Sequence, residues 1–227
     1  MPLTAIRRPH LYVGGLPSLL VPTTSSNRLA STIASGTNAI LANIDLGDHA
    51  DDRVVCVMGT SDQALTLRRA TINGSDLLVE QASTVDSIFC VSGVIPNDRK
   101  GVLVLTFSSG LGNAPFVSVW VMYGLSTPRP RASALSTAAI DTARSVDLAP
   151  VAGGIAVMHA GNDVITANSC TWSGDQTPTE VIDVAVASNV HTAAYVTNTN
   201  EDATNTFTST FAVVSTTAIA LVGATFR

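Results

Sequence analysis

The chain has 227 residues, enough for one large domain or two small ones, and 46% of them are apolar, so a sizeable core can be buried. Its net charge of −5 and its lack of any basic run argue against direct binding to nucleic acid. No apolar run approaches the roughly 18 residues that a membrane span needs. Charged residues are only 13%, and Lys100 is the single lysine. This surface is typical of a protein that packs against copies of itself or other proteins.

Residues 1–28 predict an extended N-terminal arm. Two prolines and two glycines interrupt the apolar stretch, which disfavours a long helix and the continuous apolar core of a signal peptide. An export signal is the alternative, because Arg7 and Arg8 precede the apolar residues. As an arm, the segment would tether the protein by inserting apolar side chains against a neighbouring subunit. These side chains are Leu11, Tyr12, Val13, Leu16, Leu19, Leu20 and Val21.

After the arm, short runs rich in β-branched and aromatic residues recur and are separated by Gly, Asn, Asp or Pro turns. Their spacing of about 10 to 14 residues favours an antiparallel β-sandwich over alternating strands and helices. The predicted strands are 54–58, 76–80, 87–91, 102–107 and 116–123, then 154–158, 179–187, 192–197, 206–214 and 218–226.

Residues 126–136 contain two prolines among arginines and predict a connector between two halves. The stretch that follows shows helical spacing of apolar residues from Leu135 to Val146. However, its counterpart in the first half contains Gly36 and Asn38, so a strand or a loop is predicted there instead.

Two six-residue stretches one hundred residues apart indicate an internal repeat. "ATINGS" (70–75) and "CTWSGD" (170–175) both run Thr, large apolar, small polar, Gly. Four further matches flank them in the same order, at offsets of 100 to 105 residues. The flanking matches are 44–46 with 146–148, 55–58 with 155–158, 78–80 with 181–183, and 89–92 with 194–197.

The repeat predicts an all-β protein built of two tandem antiparallel β-sandwich units, jelly-roll or immunoglobulin-like, from an internal duplication. The predicted plan is an arm at 1–28, a first unit at 29–125, a connector at 126–136 and a second unit at 137–227. The alternative is a single two-sheet sandwich whose halves are the repeats.

Catalytic and metal-binding motifs are weak. "DLGDHADD" (45–52) gathers oxygen ligands suited to Ca²⁺ in Asp45, Asp48, Asp51 and Asp52. The matching second-half loop keeps only Asp147, so a solvated turn is favoured over a metal site. His10, His49, His159 and His191 are scattered and match no ligand or triad motif. We therefore predict no catalytic residue and no cofactor.

Cysteine and tryptophan positions leave two questions open. Cys56 and Cys90 lie in strand-like runs and are predicted to be buried as small apolar side chains. A disulfide between them is the alternative. Trp120 is predicted in the core. Trp172 stands beside a turn, where it either caps the core or stacks on a sugar ring.

The segments "GGIAVM", "CTWSGD" and "EVIDV", with weaker first-half copies "DDRVVCVM", "ATINGS" and "LLVEQ", resemble tailed-bacteriophage virion proteins built of Ala/Thr/Ser/Val-rich sandwiches. The resemblance implies a capsid decoration protein, a head spike, or a tail or fibre subunit. It transfers no functional residue to this chain.

The function predicted from the sequence is therefore structural and non-enzymatic. The protein would form homo-oligomers and dock on other virion proteins, in a virion assembled in the host cytoplasm, without nucleic-acid or membrane partners. A glycan-binding module for host attachment, with Trp172 as its contact, is the alternative. A hydrolase is the second alternative.

Overall fold

The computed structural model describes residues 17–20, 32–61, 63–112, 115–163, 169–186, 189–197, 199, 204–215 and 218–227. In this part of the chain the strands pair antiparallel, and helical structure is limited to a 3₁₀ turn at Val85–Ser87. The predicted all-β antiparallel class is confirmed. No helix among these residues has the length and apolar character needed to cross a membrane.

The first half forms one folded sheet of nine strands in the order β1-β9-β4-β7-β6-β5-β8-β3-β2. The sheet turns over at β6, whose start pairs with β5 and whose end pairs with β7. The strands are β1 (Ser18–Leu20), β2 (Thr32–Ser35), β3 (Asn38–Asp45), β4 (Val54–Thr60), β5 (Leu67–Ile72), β6 (Ser75–Ala82), β7 (Phe89–Val94), β8 (Lys100–Phe107) and β9 (Phe116–Tyr123).

The second half has two separate sheets, one of five strands in the order β10-β17-β12-β15-β14 and one of three in the order β11-β16-β13. The strands are β10 (Ala132–Ala138), β11 (Ala143–Leu148), β12 (Ile155–Asp163), β13 (Cys170–Gly174), β14 (Thr179–Val186), β15 (Asn189–Thr197), β16 (Asn205–Phe211) and β17 (Ile219–Phe226).

Three buried apolar clusters hold these layers together. The first core, around Phe89 and Phe107, fills the folded sheet of the first half. The second core, around Phe207 and Phe211, lies between the two sheets of the second half. The middle core, around Trp120, joins the halves through residues of β4, β7 and β9 on one side and β12, β15 and β17 on the other. The fold is thus β-sandwich-like, with sheets that also pack back to back.

Strands β4 and β9 lie between two cores, which explains their continuous apolar sequences. In β4, Val55 and Val57 face the first core, while Val54, Cys56 and Met58 face the middle core. A strand that faces water on one side would alternate with polar residues instead. Continuous apolar runs of this kind are therefore the sequence counterpart of back-to-back packing.

One glycine is required where the halves meet. A Cβ added to Gly161 of β12 would lie 2.6 Å from Oγ1 and 3.2 Å from Cγ2 of Thr60 in β4. These distances are shorter than van der Waals contact, so the absence of a side chain at Gly161 allows the two sheets to approach.

The connector predicted at 126–136 includes the first residues of β10, which begins at Ala132 and pairs with β17. The consecutive strands β8 and β9 do not pair with each other. Residues 132–146 form β10 and the start of β11, as predicted, and not a helix.

Candidate assembly surface

Three exposed apolar side chains lie on two adjacent turns at one end of the second half. Ile140, between β10 and β11, is 71% exposed, and Val213 and Val214, after β16, are 40% and 46% exposed. The turns adjoin because the Ser215 N–H donates to the Asp141 carbonyl at 2.9 Å. Single exposed apolar residues are ordinary, but three on adjoining turns form a candidate contact surface. We call these three residues the apolar tip.

A chain of hydrogen bonds crosses the middle core between the halves. The Trp120 indole, which can only donate, bonds the Ser118 hydroxyl at 3.0 Å, and Ser118 Oγ lies 3.1 Å from His159 Nδ1. Thr60 Oγ1 lies 3.4 Å from His159 Nε2 and 2.7 Å from His191 Nδ1. With both imidazoles neutral, these contacts are satisfied when Ser118 donates to His159 Nδ1, His159 Nε2–H donates to Thr60 and Thr60 donates to His191 Nδ1, or when all three bonds run the other way.

Both imidazoles are buried and neutral in the folded protein. Burial lowers the pKa of His159 to about 3, and burial together with His159 holds the pKa of His191 well below its ordinary value. The ring of Phe116 stacks on His191 with centroids 3.9 Å apart. His191 Nε2 is buried and has no hydrogen-bond partner. Protonation of either ring would therefore place a charge in this buried contact between the two halves.

Arg53, immediately before β4, is completely buried and binds backbone carbonyls instead of a carboxylate. Its guanidinium joins two loops of the first half, 46–48 and 95–98. The bonds run from Nε to Ile95 O at 2.6 Å, from Nη1 to Leu46 O at 2.9 Å and Asp48 O at 3.0 Å, and from Nη2 to Asp98 O at 2.8 Å and to Asn97 O. The acidic sequence around Arg53 gave no sign of this role.

Three of the four candidate metal ligands of the acidic loop have separate partners. Asp48 pairs with Arg99, whose hydrogen bond lowers the pKa of Asp48. The Asp45 carboxylate lies 3.8 Å from Lys100 Nζ, and Asp52 accepts a hydrogen bond from the Gly124 N–H at 2.9 Å. Asp51 is exposed. Within the described ranges, no three His, Cys, Asp or Glu residues come together to hold a metal ion.

Trp172 is half-buried and packs against the second core. Its Nε1 donates to Thr192 Oγ1 at 2.8 Å, so the indole spans from the three-stranded sheet to the five-stranded sheet. It lies beside the gap between β13 and β14, the edge strands of those sheets. We call this gap the open seam. In the first half, the strands at the corresponding place, β5 and β6, pair with each other.

Two carboxylates face the open seam. A β-bulge at Val181 leaves Glu180 opposite Ala194 and Asp183 opposite Thr192, and both of these β15 residues point toward the second core. Without the bulge, residues three apart in a strand would face opposite ways. Burial and the nearby Asp183 raise the pKa of Glu180 to about 7, and burial raises the pKa of Asp183.

Most of the predicted arm lies outside the described residues, including Leu11, Tyr12, Val13, Leu16 and Val21. Its described part is β1, which pairs with the end of β9, and Leu19 packs against the middle core of its own chain. Leu20 pairs with Val121.

The cysteines Cys56, Cys90 and Cys170 are free and buried. The first two lie on paired strands with their sulfur atoms 3.8 Å apart. Burial raises the pKa of Cys170 to about 12, so its thiol stays protonated near neutral pH.

No protein-family model matches the chain, and no curated protein matches it. A conserved protein of unknown function from Pseudomonas aeruginosa is 9% identical, with a TM-score of 0.31 over 84% of this chain and 80% of that chain. An anti-sigma factor domain-containing protein is 6% identical, with a TM-score of 0.25 over 86% and 84% of the two chains. Infectious bursal disease virus, Gx strain, gives 14% identity and a TM-score of 0.24 over 100% of this chain and 46% of that chain. Likenesses this weak carry no argument about function.

Proposed function

We propose that this protein is a non-enzymatic structural component of a bacteriophage virion, acting by self-assembly and by docking on other virion proteins. Its place would be that of a capsid decoration protein, a head spike or a tail subunit. The observation that carries the proposal is the apolar tip, with Ile140 at 71% exposure on a chain that is only 13% charged. Burial of such a surface between subunits is the ordinary driving force of assembly.

We also infer that the two halves are tandem copies of one β-sandwich unit. In support, the strand order β1-β9-β4-β7-β6 recurs as β10-β17-β12-β15-β14, and β5-β8-β3 recurs as β13-β16-β11. A β-bulge interrupts β6 between Val79 and Gln81 and β14 between Glu180 and Ile182. Duplication would leave one copy free to diverge, which fits an apolar tip confined to the second half.

The apolar tip can be tested by a single charge. Ile140→Asp is expected to weaken self-association at least about tenfold, because a carboxylate in an apolar contact would lose its hydration on assembly. Stability should change by less than about 0.5 kcal/mol, since the side chain is exposed. Sedimentation velocity across a concentration series measures the first effect, and thermal unfolding the second.

Val102→Asp is the matched control, because Val102 is also exposed but lies on β8, away from the tip. Its association should equal that of the wild type. If Ile140→Asp associates as strongly as Val102→Asp, the tip is not an assembly surface.

A further inference from the structure

The open seam has two strand edges with no strand partner in the described part of the chain. β14 ends the five-stranded sheet and β13 ends the three-stranded sheet. In the first half, Ala70 pairs with Leu77 and Ile72 with Ser75, which joins β5 to β6 across the same position. An exposed edge of this kind is a template for an added strand.

The seam also presents negative charge without a cation. Among the ion pairs of the described residues, neither Glu180 nor Asp183 takes part. Burial and the nearby Asp183 raise the pKa of Glu180, and a bound cation would lower it. By contrast, Asp48, Asp76 and Glu80 each pair with an arginine. The seam is therefore suited to an extended segment that carries positive charge.

The chain itself contains such a segment. Arg7 and Arg8 stand shortly before Leu11, Tyr12 and Val13, a run with high β-propensity. Sixteen residues precede Pro17, the first described residue, and fully extended they reach roughly 50 Å. β1, where this segment enters the fold, already adds to the edge of the first-half sheet by pairing with β9.

We propose that the open seam of one copy receives the N-terminal arm of a second copy, in which residues 11–13 add as a strand to β14 and Arg7 and Arg8 pair with Glu180 and Asp183. This inference rests on the self-assembly proposed above and adds a second contact between copies to that of the apolar tip. Because the arm and the seam are different surfaces, the contact is head-to-tail and joins copies into a ring or a filament.

The first test neutralises the seam without changing its shape. E180Q/D183N is expected to weaken self-association at least about tenfold, and R7Q/R8Q by a similar factor, because each removes one side of the same charge-assisted contacts. The matched controls are Asp51→Asn and Arg68→Gln, exposed charges away from the seam, which should associate like the wild type. Circular dichroism and thermal unfolding establish that each variant is folded.

The second test separates exchange between copies from docking within one chain. R7E/R8E and E180R/D183R should each associate poorly alone, while an equimolar mixture should recover association, because the acidic arm of one variant fits the basic seam of the other. If E180R/D183R fails to fold, R7E/R8E mixed with E180Q/D183N gives the same comparison, with a smaller recovery.

The outcomes are distinct. A wild-type protein that stays monomeric contradicts the proposed function as a whole. A wild type that associates as strongly as E180Q/D183N contradicts the seam contact alone. Absence of recovery in the mixture, with both single variants impaired, contradicts the exchange of arms between copies.

Discussion

Replacement of Arg53 by methionine is expected to lower the free energy of unfolding by about 3 kcal/mol or more. Arg53 is buried, and its guanidinium donates to carbonyls of two loops, among them Leu46, Ile95 and Asp98. Methionine fills much of the space but leaves these acceptors unpaired, and each buried unpaired carbonyl costs about 1–3 kcal/mol. Urea unfolding followed by circular dichroism measures the change.

Two further variants define the cause. Arg53→Lys keeps the charge, but an ammonium group cannot donate to all of these carbonyls at once. Most of the loss in unfolding free energy should therefore remain. Arg68→Met, at an exposed position, should change stability by less than about 0.5 kcal/mol. A loss below about 1 kcal/mol for Arg53→Met would contradict the role of Arg53 as the link between the two loops.

Acid is expected to destabilise the contact between the halves through His159 and His191. Both are neutral in the folded protein, since burial lowers the pKa of His159 to about 3 and that of His191 well below its ordinary value. In the unfolded chain both bind protons below about pH 6.5. The unfolded state therefore holds more protons at acid pH, so stability is fully present above pH 6.5 and falls as the pH drops toward 3.

The decline should approach about 1 kcal/mol per pH unit for each imidazole. The cost arises because protonation places a charge on rings that are buried where the two halves meet. Glu180 has the opposite effect on stability between about pH 7 and 4.5. Its raised pKa means that the folded state binds a proton more readily than the unfolded state, so its contribution to stability increases as the pH falls. The histidine contribution is therefore measured as a difference between variants.

His191→Asn keeps an acceptor near the position of Nδ1 but does not titrate. Between pH 6.5 and 4, its free energy of unfolding should fall less steeply with decreasing pH than that of the wild type. The difference in slope should correspond to at most one proton bound on unfolding. The exposed His49→Asn serves as the control and should leave the slope unchanged. Parallel pH profiles for wild type and His191→Asn would show that the imidazole does not couple to folding.

The strands were largely predictable because their apolar runs are short and bounded by turn residues. The run 116–123 was predicted with the bounds that β9 has. β3 was not predicted as a strand, since polar residues such as Asn38 and Asn43 interrupt its apolar pattern. The strand predicted at 206–214 corresponds to β16, in which Phe207, Ser209 and Phe211 alternate as buried residues.

The middle core was not predicted, although its signal was present. The continuous apolar runs of β4 and β9 indicate burial on both faces, which a sandwich in water does not require. The sequence comparison matched Val57 with Val157. In the structure Val57 faces the first core and Val157 faces the middle core, and a shift of one residue along a strand reverses the face.

The polar features depend on distant pairings that spacing alone does not reveal. His159 and His191 are 32 positions apart and approach because β12 pairs with β15. Glu180 and Asp183 share a face only because of the bulge at Val181. Arg53 follows an acidic stretch that indicated a solvated turn. Its partners are backbone carbonyls, which every residue has, so the sequence does not identify them.

The mass of the wild-type protein in solution tests the central claim, self-assembly, most directly. Sedimentation velocity at about 100 µM should detect species that are multiples of the 23.4 kDa chain, because even weak specific interfaces associate at this concentration. Their proportion should fall on dilution. A single 23.4 kDa species throughout the series would contradict the account.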